Sequence, residues 1–197
     1  MSWPITDNFN RADADVLGAM SDGVHNWTEL TGDIDIVANK AKAGGGANGN
    51  QLALVTEAHT ETDYYVQALC FGASNADSGV AARCTDIDNF YVLRQYNATL
   101  ELYKDVGGAY TLLASWAKTV GWHTVKLEVN GTTLNCYYDG VLQTWSPGTD
   151  SSLTSGKPGI RSYFGTDPSW DDFVADLLGA PPAPVAPPTL GLMGVGK

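Results

Sequence analysis

The chain has 197 residues, enough for one domain with a real core but a tight fit for two, and 44% hydrophobic against 17% charged residues is the balance of a folded chain. Its 22 acidic and 11 basic side chains give a net charge of -11, which removes the attraction to phosphate that nucleic-acid binding needs and repels anionic lipid. No stretch reaches the roughly 20 apolar residues of a membrane span, so membrane insertion is not expected.

In chain order, the start Met1-Ser2-Trp3-Pro4-Ile5-Thr6-Asp7 lacks a basic segment followed by an apolar run, and no secretory signal is expected. Gly44-Gly45-Gly46-Ala47-Asn48-Gly49-Asn50 has no Gly-Lys-Ser/Thr ending and no helix pattern after it, so it reads as a loop, not a phosphate cradle. From Asp63 onward, short segments rich in aromatic and β-branched residues follow one another between Gly, Asn and Asp. They cover 63–71, 78–85, 89–97, 99–105 and 109–116, the spacing of strands in an antiparallel β-sandwich. Over 123–145, Val125, Leu127 and Val129 alternate with Thr124, Lys126 and Glu128. Asn130-Gly131 and Asp139-Gly140 then supply the positive φ angles of two tight turns, which predicts a three-stranded meander.

Cys70, Cys84 and Cys136 are an odd number with no metal-type or redox-type spacing. If 63–72 and 78–85 pair as a hairpin, Cys70 faces Val80 rather than Cys84, so the cysteines are expected as buried free thiols. The composition breaks after Gly179. Residues 180–188 hold five of the nine prolines, an extended spacer, and the end 189–197 is small and apolar. The expected division is therefore a domain at 1–179 and a tail at 180–197, with Leu190, Leu192, Met193 and Val195 as partner-docking residues for other protein subunits of an assembly.

Several segments taken in order carry a resemblance. They are Asp7-Asn8-Phe9-Asn10-Arg11-Ala12-Asp13 with Leu17-Gly18 and Trp27, then Gly79 to Arg83, Asp88 to Tyr91, Leu100 to Lys104, Gly121-Trp122-His123, Tyr138-Asp139-Gly140, Leu153 to Ile160 and Asp171-Asp172-Phe173. Over about residues 5–178 the chain resembles the concanavalin A-like, laminin-G-like jelly rolls of bacterial and phage structural or glycan-binding proteins. The resemblance implies an all-β antiparallel jelly roll whose first and last strands are neighbours. It also implies one structural calcium near Asp7 and Asp172, held by hard oxygen ligands. The alternative for these acids is turn capping, or pairing with Arg11 or Arg161.

Signs of catalysis are sparse. The Glu-x-Asp-x-Glu run of glucanases on this sandwich does not occur. Asp33-Ile34-Asp35 and Asp86-Ile87-Asp88 come nearest, the latter at a predicted turn. His25, His59 and His123 are scattered, and no Gly-x-Ser-x-Gly elbow occurs. Gln67 and Arg83 fall on the polar side of their strands and Tyr103 lies opposite Leu100 and Leu102, so these three are expected to point outward together as glycan-binding candidates. In the strand holding Arg94 both sides mix polar and apolar residues, and its face stays unassigned. The sequence thus leads to a non-catalytic structural or adhesion module of a larger assembly, such as a phage particle, at a virion or extracellular surface. The alternative is a lectin-like module for surface glycan, and behind it stands a polysaccharide-acting hydrolase.

Overall fold

The computed structural model describes residues 2–44, 49–57, 60–73, 76–163 and 167–179. The docking residues Leu190, Leu192, Met193 and Val195, the proline-rich segment and His59 lie outside the described residues. The chain enters through β1 (Ile5–Asp7), β2 (Trp27–Thr31), β3 (Ile34–Ile36), β4 (Ala41–Ala43) and β5 (Gln51–Val55). Longer strands follow: β6 (Tyr64–Gly72), β7 (Asp77–Asp86), β8 (Asn89–Tyr96), β9 (Thr99–Val106), β10 (Ala109–Ala117) and β11 (Gly121–Asn130). The last are β12 (Thr133–Tyr138), β13 (Val141–Gln143), β14 (Lys157–Ser162) and β15 (Ser169–Leu177).

They form two stacked antiparallel sheets. The back sheet runs β13-β12-β11-β6-β15-β4-β3 with β1 also paired to β15, and the front sheet runs β10-β9-β8-β7-β14-β5-β2. The first and last strands are neighbours as expected, with Asp7 opposite Phe173. The meander is β11-β12-β13, its turns made by Gly131 at φ 53° and by Asp139 and Gly140 at φ 49° and 76°. β6 and β7 do not pair as a hairpin. Cys70 of β6 faces His123 and Trp170 within the back sheet, because the chain crosses to the other sheet between the two strands.

The two sheets bury themselves differently. In the back sheet burial alternates strictly along β6, with Val66, Ala68 and Cys70 meeting Val125, Leu127 and Val129 in the core. That is the pattern of a sheet with one dry and one wet face. In the front sheet, β5, β7, β8 and β14 are buried on both faces over most of their length. Their inner residues, among them Ala53, Val80, Ala82, Tyr91, Leu93 and Ile160, belong to the main core. Their outer residues Leu52, Leu54, Ala81, Phe90 and Val92 form a second apolar cluster against which Tyr103 packs. A sandwich sheet usually leaves its outer face to solvent, so something built on this face must cover it.

Polar contacts pin the sheets together. Trp170 Nε1 of the back sheet donates to Gly79 O of the front sheet at 3.0 Å. Gln95 Nε2 donates to Cys70 O at 2.7 Å, while Tyr138 OH donates to Gln95 Oε1 at 3.0 Å. Each buried bond contributes about 1 kcal/mol net, and leaving either partner unpaired costs more.

All the cysteines are free and buried. Burial pushes the Cys84 thiol up to about 12 and raises those of Cys70 and Cys136 as well, so thiolate is scarce at neutral pH. The thiols are therefore expected to stay silent toward an aromatic disulfide reagent in the native protein and to react together on denaturation. A reaction rate that tracks the unfolding rate would bear this out, and a fast native phase would contradict it.

Candidate functional site

The cover of the front sheet is a layer of long polar and aromatic side chains, and a cleft opens in it. Its walls are Asn50, Asp88, Arg94, Tyr103, Asp105, Gly108, Tyr110, Arg161 and Tyr163, enclosing about 410 Å³. That volume lies in the range of small-molecule sites, roughly 300–1,000 Å³. Strand register explains why these residues meet. Arg161, Gly79, Arg94 and Glu101 stand in one row across β14, β7, β8 and β9, and Phe90, Asp105 and Tyr110 in another across β8, β9 and β10. Gly79 is essential to the first row: a Cβ there would lie 2.5 Å from Leu93 O and 2.7 Å from Arg94 Cα. With no side chain between them, the two guanidiniums can lean toward each other.

What they lean on is Asp77, a fully buried carboxylate. Arg94 Nη1 bonds its Oδ2, Arg161 Nη1 stands 3.6 Å from the same oxygen, and Ser162 Oγ donates to Oδ1 at 2.9 Å. Arg94 also donates to Glu101 Oε2 from Nε at 3.1 Å and Nη2 at 3.0 Å. Arg161 donates to Asn50 Oδ1 and to Tyr110 OH at 3.0 Å. Tyr103 and Tyr110 stack with ring centroids 4.3 Å apart and planes 10° off parallel. Arg94 lies 4.7 Å from the Tyr103 ring, and Arg161 lies 5.0 Å from the Tyr110 ring and 5.2 Å from that of Tyr163. Each such cation–π contact contributes about 0.5–2 kcal/mol and holds both partners in place.

Burial pushes the Tyr110 phenol up to about 12, against the pull of Arg161 and Arg94, so its hydroxyl remains protonated. Burial, then the neighbouring Asp88, raises the Asp105 carboxyl from its ordinary value, against the pull of Arg161. Its Oδ1 is buried and receives no hydrogen bond. The cleft thus offers aromatic surface, fixed guanidinium donors and a carboxylate acceptor.

The residues expected to share one outward face do not. Tyr103 lines the cleft. Gln67 is half-buried on the outer side of the back sheet, beside Lys126 and Val174. Arg83 is buried, with its guanidinium spent on Thr62 O at 2.9 Å, Gly131 O at 2.7 Å and Leu153 O at 3.0 Å. A register shift in β7 after Ala82, with Arg83 at φ 49°, breaks the alternation and turns the side chain into the loops it ties together.

The calcium expectation at Asp7 and Asp172 also requires correction. Asp7 is buried, and its carboxylate accepts from Phe9 N, Arg11 Nη1 and Nη2, Ser21 N and Trp27 Nε1 at 2.7–3.3 Å. Its lone pairs are taken by donors, and Arg11 already balances its charge. Asp172 is exposed at a bulge in β15 and does not share that environment. These two residues do not fit a calcium ion, and among the described residues no group of three or more His, Cys, Asp or Glu is placed to hold a metal.

Of the acids weighed for catalysis, Asp86 accepts from Asp88 N at 2.9 Å and from Asn89 Nδ2, which makes it a turn cap, while Asp88 stands at the cleft. A second hollow of about 240 Å³ lies outside the back sheet between Phe71, Trp122, Lys40 and Lys42. Lys40 Nζ stands 5.1 Å over the Trp122 ring, so less aromatic face is open there.

No family model matches the chain, and no curated protein matches its sequence. Solved structures do resemble it. The carbohydrate binding module CBM66 from Bacillus subtilis superposes with TM-score 0.65 at 16% identity, over 76% of this chain and 94% of that one. The exoplasmic/lumenal domain of VIP36, in a Ca2+/Man2-bound form, gives TM-score 0.61 at 9% identity over 92% and 90%. The GH43 protein BlXynB from Bacillus licheniformis gives 0.62 at 16% identity over 87% of this chain, which spans 39% of that protein. At these identities the likeness concerns architecture: the chain is an all-β sandwich of the concanavalin A-like jelly-roll fold.

Proposed function

We propose that the domain is a carbohydrate-binding module whose ligand sits in the front-sheet cleft and is held without being cleaved. The observation that carries this reading is the cleft's aromatic and guanidinium wall, open to solvent yet fixed from beneath by Asp77. A sugar ring has an apolar face that stacks on tyrosine and hydroxyls that need planar hydrogen-bonding partners, and Tyr103, Tyr110, Arg161 and Asn50 supply both kinds of contact. The neighbours named as a carbohydrate binding module and as a Man2-bound domain support the same reading. Placement of the domain in a particle draws on the acidic body, the 180–197 tail and the resemblance, and the neighbours favour the glycan-binding reading over it.

A glycan array tests it. The intact chain and a chain ending at Gly179 are both expected to retain sugar. Tyr110→Ala, which removes a ring that is 38% exposed, is expected to weaken retention about tenfold or more. Tyr103→Ala should act in the same direction. A folded protein that retains nothing, or retention indifferent to both substitutions, would overturn the reading.

A further inference from the structure

Charge in the cleft does not balance, and the imbalance has a location. Arg94 is engaged by Asp77 and Glu101, and Arg161 by Asp77, Asn50 and Tyr110. Four carboxylates, Asp77, Glu101, Asp88 and Asp105, therefore surround two guanidiniums. Asp105 is the one left over inside. It is only 5% exposed, it lies between Phe90 and Tyr110 in the sheet register, and its Oδ1 has no donor. Folded proteins rarely leave a buried carboxylate oxygen unpaired, because its lost hydration is not replaced. Asp105 itself lines the cleft, so a ligand there meets its carboxylate.

Resting on the sugar-binding reading above, we propose that Asp105 accepts a hydrogen bond from the bound sugar and makes the cleft select glycans with free amino groups over glycans with carboxylates. A sugar hydroxyl would donate to the carboxylate where it lines the cleft. An ammonium would satisfy it and also offset the excess negative charge, and charge-assisted bonds of this kind are about twice as strong as neutral ones. A uronate would bring a further carboxylate toward Asp105 and Asp88 while both arginines are already engaged.

The test compares β-1,4-linked oligomers of glucosamine, glucose and glucuronate on one array, near physiological salt, where charges beyond about 8 Å are screened. The intact chain is expected to retain the glucosamine oligomer at least tenfold more strongly than the glucuronate oligomer. Asp105→Asn keeps the shape and removes the charge, and it is expected to bring the three within about twofold. Asp15→Asn, which removes an equal charge at an exposed position outside the cleft, should leave the preference intact. Equal retention of amino and carboxylate sugars, or a preference that survives Asp105→Asn, overturns the selectivity and leaves sugar binding standing. Loss of all cleft-dependent retention overturns both.

Discussion

Replacing Asp77 with alanine is expected to destabilise the domain by about 3–5 kcal/mol and to abolish glycan retention together with it. The size follows from what Asp77 holds. Its carboxylate is fully buried under the front-sheet layer and is the shared counter-ion of Arg94 and Arg161, whose own side chains are 8% and 2% exposed. Alanine would leave two guanidiniums in a poorly solvated site, Arg94 with Glu101 as its remaining carboxylate and Arg161 with only the neutral acceptors Asn50 and Tyr110. Against a typical total of 5–15 kcal/mol, a loss of that order lowers the denaturation midpoint sharply. The binding loss has the same origin, since the tyrosine rings are positioned by the arginines stacked on them. Asp77→Asn keeps the volume and one acceptor and should fall between wild type and alanine. Urea titrations followed by tryptophan fluorescence would measure the series. A midpoint unchanged in Asp77→Ala would mean that the two arginines find water or other acceptors, and the cleft would lose its rigid base.

The uneven legibility of this molecule in its sequence has a physical cause. Where a sheet has one wet face, alternation shows it, and β11 with Val125, Leu127 and Val129 reads correctly as half-buried. The front sheet is covered on both sides, so alternation fades in the strand that bears Arg94. Phe90 and Val92 lie under the outer layer, Tyr91 and Leu93 in the core. Arg83 illustrates a second limit: around it β7 gains one residue against β14 and two against β8, which breaks the alternation, and nothing in the letters marks it. Long-range assembly hides the remainder, since Arg161 and Asn50 meet across 111 positions and Arg161 and Tyr110 across 51. Tyr103 could be singled out because Leu100 and Leu102 fix its side of β9. The same alternation applies to Glu101 and Asp105, the signal by which Asp105 could have been found.

A substitution at Asp7 separates a protein-held carboxylate from a metal-held one. Asp7→Ala is expected to cost about 3–5 kcal/mol, because it leaves the Trp27 indole N–H and the amides of Phe9 and Ser21 without an acceptor and strips Arg11 of its counter-ion. Trp27 matters most in this group: it is 7% exposed and packs edge-on against Phe173 with centroids 4.8 Å apart, so its N–H has little route to water. The Arg11 guanidinium, a quarter exposed, recovers part of its loss by hydration. Calcium bound at Asp7 would give a different signature, since a ligand that binds only the folded state raises stability with its concentration. With Arg11 as the resident cation, thermal melts in millimolar calcium and in excess chelator should differ by less than about 1 °C in the wild type, while Asp7→Ala lowers the midpoint by about 10 °C or more in both. A wild-type midpoint that climbs steadily with calcium, with the climb abolished in Asp7→Ala, would show that the ion displaces Arg11 and that the carboxylate serves a metal after all.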